Sequence, residues 1–457
     1  MPPQICRPLA SKSKRGGGNH KFFLKTYGCQ MNKLDSEAIA GALSELGYEM
    51  TVSEKEADII LLNTCSVRDL AEKKALGKLG LLKKLKKKKG NLLIGLAGCL
   101  AQHKGEEILK KNPHLDFVVG TREIDRIPEL IAEAVERKKR ISALSSCREI
   151  KEPSSYLRAD NIKAFVYVMR GCENYCSYCI VPYVRGPEKS RPSKDIVSEI
   201  KSLADSGYKE VCLLGQNVNS YGRGLKEGID FSGLLEKINS IEGIYRIRFV
   251  TSHPKDISEK LIDSIADLDK VCESIHFPLQ SGSDKILKLM NRGYDLSDYI
   301  KIVDRLRGQV PDVSISTDII VGFPGETEED FNRTVKTFEE IRFDSSFIFK
   351  YSHRGGTAAS RLEDDVPFDV KLERNKCLLS LQGEISQKKN DCLIGEKQEV
   401  LVEGPSRKNI KMYTGRTRQN KIAIFPGCDD IKGKLVSFIP ERASPNVFYG
   451  KIENSKL

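Results

Sequence analysis

The chain has 457 residues, well past the roughly 250–300 at which a single hydrophobic core stops growing, so two or three domains are expected. Its 75 Lys+Arg against 63 Asp+Glu give a net charge of +12, a modest excess that permits a nucleic-acid partner without requiring one. No stretch reaches the ~18–20 uninterrupted apolar residues of a membrane helix, and the start lacks the apolar core of a secretory signal, so a cytoplasmic protein with no membrane partner is expected.

Residues 1–20 are basic, carry no acid and contain a Gly triplet, which reads as a disordered extension. From Lys21 the pattern alternates strand-like apolar runs (21–28, 57–64, 91–98, 117–120) with amphipathic stretches, which predicts a parallel sheet over 21–140. The first three of these runs end in Cys29, Cys65 and Cys99. Strand carboxyl ends of an open parallel sheet share one edge, so the three thiols converge there unless they are merely buried cysteines, a common fate for this residue. The run Lys83–Lys89 fits either a solvated helix end or contacts to nucleic-acid phosphates.

Residues 141–160 lose periodicity and gain Ser, Pro and charge, as a linker does. Over 161–392 six strand-like runs (164–171, 210–217, 245–252, 274–279, 313–322 and 345–352) alternate with helical spans, which predicts a partial β/α barrel working at its strand carboxyl ends. After 393 short strands separated by turns predict a small all-β barrel with 12 Lys+Arg and 7 Asp+Glu over 395–457. Arg407, Lys408, Lys411, Arg416, Arg418 and Lys421 cluster there with Tyr413 and Phe425. This is either an RNA-binding surface with stacking aromatics or an ordinary solvated basic face. The fold class is therefore α/β: a parallel-sheet domain, a partial β/α barrel and a small all-β barrel.

Thirteen cysteines, an odd number in a chain without a secretory signal, argue for metal binding or chemistry rather than a disulfide framework. Cys172, Cys176 and Cys179 have C-x3-C-x2-C spacing directly after a predicted strand. Three soft thiolates suit an iron-sulfur cluster and leave one iron of a 4Fe-4S cubane without a protein ligand. A zinc site would need a fourth Cys or His nearby, and none follows within ten residues. Gln216, Asn217, Ser281 and Asp318 fall at or near strand ends, where they either hydrogen-bond a cofactor or base or simply form turns.

This cysteine spacing resembles the radical S-adenosylmethionine (SAM) superfamily, and Tyr178 occupies the usual aromatic position before the last cysteine. The flanking segments TYGCQMNKLDSE (26–37), NTCSVRDLAEKK (63–74), AGCLAQ (97–102), RGCENYCSYCIVPYVRG (170–186) and FPLQSGSDKILKLMNRGY (277–294) narrow the resemblance to the methylthiotransferases. The C-terminal segment resembles a TRAM domain. Within the family, Ser66, Val67 and Arg68 resemble the MiaB branch. The resemblance then implies transfer of a methylthio group to C2 of N6-isopentenyladenosine beside the tRNA anticodon. The alternative substrates are threonylcarbamoyladenosine in tRNA and an aspartate of a ribosomal protein.

The resemblance further implies two 4Fe-4S clusters, an auxiliary one on Cys29, Cys65 and Cys99 and a SAM-binding one on Cys172, Cys176 and Cys179. It implies SAM as both methyl donor and radical source, the tRNA anticodon stem-loop as partner, and a flavodoxin- or ferredoxin-type electron donor. No acid-base residue beyond the cluster ligands is expected to be essential, because the cofactors carry the hard chemistry. The segment KYSHRGGTAAS (350–360) departs from the family pattern, with Gly355 and Ala358 where relatives often carry proline.

Overall fold

The computed structural model describes residues 20–66, 69–145, 148, 151–407 and 409–453. Residues 1–19, Val67, Arg68, Cys147 and Lys408 lie outside the described residues, and with them the expected basic extension and part of the branch-marking SVR triplet. The chain forms two compact units. One comprises the residues up to Tyr27, Asp35–Cys65 and Leu70–Leu157; the other comprises Gly28–Leu34, Ser66–Asp69 and everything from Arg158.

The first unit carries a six-stranded sheet ordered β2-β1-β3-β4-β5-β6, parallel throughout: β1 Lys21–Thr26, β2 Glu49–Met50, β3 Ile59–Thr64, β4 Leu93–Gly98, β5 Phe117–Val119 and β6 Ile141–Ala143. Every residue of β3 is buried. Ile59 and Leu61 join one apolar cluster while Ile60 and Leu62 join another, so both sheet faces are covered. That is why the strand reads as a continuous apolar run rather than an alternating one. Two strands were not expected. β2 is only two residues long, and β6 occupies the start of the span expected as linker. Three residues at a sheet edge give too short a period to stand out from polar flanks, yet Phe117 pairs with Ile141 and Val119 with Ala143.

The lysine run of the first unit is partly structural. Lys86 holds Asp116 at 2.8 and 2.7 Å, and Lys89 holds Asp58 at 2.9 Å, while Lys83, Lys84, Lys87 and Lys88 remain exposed.

The second unit begins with β7 Lys163–Tyr167, followed by the antiparallel pair β8 Met169–Arg170 and β9 Lys189–Ser190. Then come β10 Glu210–Leu214, β11 Arg246–Phe249, β12 Ser274–His276, β13 Ser314–Val321 and β14 Ser345–Lys350. Between the parallel sheets β11-β10-β7 and β12-β13-β14, Ile247 of β11 forms an isolated parallel bridge with Val271, which precedes β12. One buried cluster runs from Val166, Val211 and Ile247 to Ile275, Ile319 and Phe338, so the two halves share a core. This is the open β/α barrel that the sequence predicts.

The 24-residue helix Phe368–Asp391 leads into a closed barrel in the same unit, ordered β15-β16-β17-β19-β18: β15 Gln398–Ser406, β16 Asn409–Thr417, β17 Ile422–Pro426, β18 Leu435–Ala443 and β19 Val447–Ile452. Its interior is Val400, Val402, Tyr413, Phe425, Phe438 and Phe448. Tyr413 and Phe425, read from sequence as stacking groups, are therefore core residues. Alternation along β16 and β17 turns them inward, where burying a large ring is worth more than exposing it.

Candidate active site

The loop bearing Cys172, Cys176 and Cys179 leaves β8 at Gly171, which has φ 81°. A Cβ there would lie 1.9 Å from the Pro187 carbonyl oxygen, so no other residue fits. Four separate segments grip the loop. The Gly171 amide donates to Gln216 Oε1 at 2.6 Å and the Cys172 amide to the Gly186 carbonyl at 3.1 Å. The Ser177 hydroxyl and amide donate to the Leu289 and Met290 carbonyls at 2.8 and 2.9 Å, and the Ala359 amide donates to the Ser177 carbonyl at 2.7 Å. Gln216 therefore fixes the loop through its Oε1. The divergent segment 350–360 also has a task, since Ala359 belongs to it.

The three thiols sit close enough to disfavour one another's charge. Burial, followed by the neighbouring Cys176, pushes the Cys172 thiol up to about 11 and the Cys179 thiol up to about 12. Among the described residues no three His, Cys, Asp or Glu side chains converge as ligands of a single ion. Thiols that bind three different irons of a cubane have no need to do so.

Arg292, 4% exposed, donates through Nη1 to Cys176 Sγ at 3.2 Å and to the Tyr178 hydroxyl at 3.3 Å, through Nη2 to the Pro278 carbonyl at 3.0 Å, and through Nε to the Tyr294 hydroxyl at 2.9 Å. The His253 ring meets Tyr294 edge to face, with Nε2 4.0 Å from Cys176 Sγ. Burial, then the Arg292 and Lys255 charges, lowers its pKa to about 2, so the ring is neutral. Its Nδ1 accepts from the Lys255 amide at 3.3 Å, which puts the ring proton on Nε2, facing the thiol.

Beyond β10, β11 and β12 several buried polar atoms have no partner among the described residues: Asn217 Oδ1, Asn219 Oδ1, Ser252 Oγ and Gln280 Oε1. Buried acceptors are nearly always satisfied in folded proteins. This acceptor-rich edge therefore suits a ligand with its own donors, such as the ammonium and ribose hydroxyls of SAM. Asn217 is anchored by Nδ2 to Asp256 at 2.7 Å, and Gln280 is held at φ 77°.

The other expected cofactor contacts are placed as follows. The hydroxyl of Ser281 accepts from the Ser283 amide at 3.2 Å, a turn role. Tyr178 packs its ring against the cluster of Ile286, Met290, Phe323, Tyr351 and Ala359. Asp318 lies on the more open face of β13 with Ser316 and Ile320, 3.4 Å from His276 Nε2. The His276 ring meets the half-exposed Phe347 edge to face. Sequence reasoning missed Arg292, Tyr294, Ser252 and Gln280, although the FPLQSGSDKILKLMNRGY segment contains three of them.

Of the sheet-edge cysteines, Cys65 and Cys99 immediately follow β3 and β4, whose ends pair through Thr64 and Gly98, and both are buried. A Cβ on Gly98 would lie 2.4 Å from Asn63 Oδ1, so glycine is required for the chain to pass and start the helix Cys99–Lys111. Cys29 lies beyond the end of β1 in the segment Gly28–Leu34, which belongs to the second unit, and its thiol donates to Asn32 Oδ1 at 3.2 Å.

The basic cluster of the closed barrel divides. Arg418 grips Glu273 at 2.6–3.0 Å and the Val271 carbonyl at 2.7 Å, and Lys421 lies 3.7 Å from Asp344. Arg416 pairs with Glu403 at 3.4 Å. These three pair within the barrel or with the β/α core. Arg407 and Lys411 stand exposed at the β15–β16 turn beside Ile410, which is 80% exposed.

Two family models match the chain, "Uncharacterized protein family UPF0004" over residues 21–120 and "Radical SAM superfamily" over residues 166–338. A tRNA-2-methylthio-N(6)-dimethylallyladenosine synthase of Thermoanaerobacter pseudethanolicus is 48% identical over 437 residues, 95% of this chain and 92% of that protein. Proteins of the same description are 50% identical in Syntrophus aciditrophicus (92% of each chain) and 49% identical in Clostridium novyi (95% and 97%). Among solved structures, the radical SAM methyltransferase TsrM of Kitasatospora setae, with cobalamin and a [4Fe-4S] cluster bound, superposes with a TM-score of 0.54. It covers 73% of this chain and 72% of that one at 14% identity, a likeness of fold.

Proposed function

Because the chain belongs to the family of tRNA-2-methylthio-N6-dimethylallyladenosine synthases, radical SAM enzymes that methylthiolate tRNA, we propose a division of its six cysteines between two 4Fe-4S clusters. Cys172, Cys176 and Cys179 hold the cluster that binds SAM, and Cys29, Cys65 and Cys99 hold the auxiliary one. The observation that carries this reading is the cysteine loop itself. Three thiols, a neutral histidine, a buried cation and unpartnered acceptors all gather at the strand carboxyl ends of the β/α unit.

Bound there, the cluster and SAM would supply one-electron radical chemistry, and the auxiliary centre would hold the sulfur that carries the methyl group to C2 of isopentenyladenosine. The protein's part is to bind, orient and keep out water. Asn217, Asn219, Ser252 and Gln280 receive the polar end of SAM, while Tyr178 provides an apolar wall for its adenine. Asp318, His276 and Phe347, on the open face of β12–β14, are suited to a flat, hydrogen-bonding base. The closed barrel acts as a TRAM-like RNA module whose exposed Arg407 and Lys411 meet the tRNA backbone. A low-potential flavodoxin- or ferredoxin-type donor supplies electrons. No described helix is long and apolar enough to cross a membrane, and we place the enzyme in the cytoplasm with its tRNA.

The test is nucleoside mass spectrometry after incubating reconstituted enzyme, SAM, a strong reductant and isopentenylated tRNA, with Cys172→Ala as control. A methylthio mass increase on isopentenyladenosine that is absent from the control supports the reading. The same increase with the control enzyme contradicts it.

A further inference from the structure

Arg292 is a permanent cation in a buried place, and among the described residues no carboxylate lies within ion-pair distance of it. Three other buried arginines of this unit set the contrast. Arg246, Arg248 and Arg374 each meet a glutamate, at 2.8, 3.0 and 2.8 Å. A guanidinium removed from water without a counter-ion carries a large desolvation cost. The acceptors that Arg292 does have are two phenols, one carbonyl and the sulfur of Cys176. Only the sulfur belongs to a group that becomes strongly anionic in the reading above. Three thiolates outweigh the positive charge of an oxidised cubane core, and one-electron reduction adds further negative charge spread over the sulfurs.

We propose that Arg292 is the counter-charge of the cluster held by Cys172, Cys176 and Cys179, and that it raises that cluster's reduction potential through its bond to Cys176 Sγ. The inference rests on the ligand assignment given above. Hydrogen bonds to cluster sulfurs and net local charge are two of the levers that set such potentials. An N–H···S bond strengthens as the sulfur gains electron density, so it favours the reduced state. The electron comes from the external donor, and Arg292 neither gains nor loses a proton. It is a positioning residue, holding charge in place and, through Tyr178 and Tyr294, the walls beside it.

The test is a potentiometric titration of fully loaded enzyme, followed by electron paramagnetic resonance, with the auxiliary cluster as internal reference. Arg292→Gln is expected to shift the reduction equilibrium of the SAM-binding cluster at least tenfold toward the oxidised form, about 59 mV for a one-electron couple. Arg292→Lys is expected to recover most of the shift, and the auxiliary cluster should stay unchanged in both. An unchanged midpoint in Arg292→Gln, or equal shifts in the Gln and Lys variants, overturns the proposal.

A second measurement needs no variant at Arg292. In enzyme labelled with 15N-arginine, electron-nuclear double resonance of the reduced SAM-binding cluster should detect coupling to an arginine nitrogen, and its absence contradicts the proposal. If the cluster signal itself survives Cys172→Ala, the ligand assignment fails rather than the role of Arg292.

Discussion

The two ends of the β/α unit are built from similar residue types put to opposite use. At the amino ends of β10 and β11, Arg248 meets Glu210 and Arg246 meets Glu399. The spare donors of both arginines are taken by the carbonyls of Arg416, Thr417 and Arg418 in the closed barrel. Cys212 and Cys272 lie buried beside them, and burial pushes the Cys212 thiol up to about 12. At the carboxyl ends a third buried arginine faces thiols instead of a glutamate, and buried acceptors are left without partners. Buried arginines paired with glutamates mark the end that holds the fold together. A buried arginine facing a thiol, beside acceptors without partners, marks the end that receives ligands.

The largest effect that should separate the two ends comes from the cysteines. Cys176→Ala is expected to lose the SAM-binding cluster and all methylthiolation while the protein stays folded, as iron analysis and circular dichroism would reveal. Next is Arg248→Met, which strands Glu210 in a buried site and should cost about 3–5 kcal/mol of stability in denaturant unfolding. Iron content per folded molecule should be unaffected.

Asp330 tests the carboxyl end by pH. Although buried, its carboxylate accepts from the Ser283 hydroxyl at 2.6 Å, the Thr327 amide at 3.0 Å and Lys285 at 2.9 Å, which holds it well below the ordinary carboxylate range. A depressed folded-state pKa contributes stability above the unfolded value of about 4 and loses it as the pH falls below that. Asp330→Asn should therefore cost about 1–3 kcal/mol at neutral pH and flatten the acid limb of the stability profile. A limb as steep as before would show that Asp330 is not the group responsible.

Smaller effects concern the closed barrel. Arg407→Ala and Lys411→Ala should each weaken tRNA binding and reduce its salt slope by about one. Lys421→Ala, which removes a partner of Asp344, should lower stability and leave that slope alone. Cys212→Ala should change iron content by nothing measurable.

Much of this was legible in the sequence, for reasons that differ by region. Strands of the parallel sheets carry apolar runs, continuous where both faces are buried as in β3, so β1, β3, β4, β5, β7 and β10–β14 were readable. β2 and β6, two and three residues long at sheet edges, leave no period. The C-x3-C-x2-C loop is local and declares itself by spacing. Arg292, by contrast, is 116 residues from Cys176 in the chain, and only folding brings its guanidinium to the sulfur. The partners of the basic cluster in the closed barrel were illegible for the same reason. Sequence shows charge but not its partner, and Glu273 and Asp344 lie far upstream of Arg418 and Lys421.

The central claim is that the two cysteine triplets hold separate centres with separate tasks. The measurement that tests it most directly compares two triple variants, Cys29/Cys65/Cys99→Ala and Cys172/Cys176/Cys179→Ala. Both are assayed with SAM and reductant for 5′-deoxyadenosine. The account predicts that the first still forms 5′-deoxyadenosine without methylthiolating tRNA and that the second forms none. 5′-Deoxyadenosine from the variant lacking Cys172, Cys176 and Cys179 would contradict it.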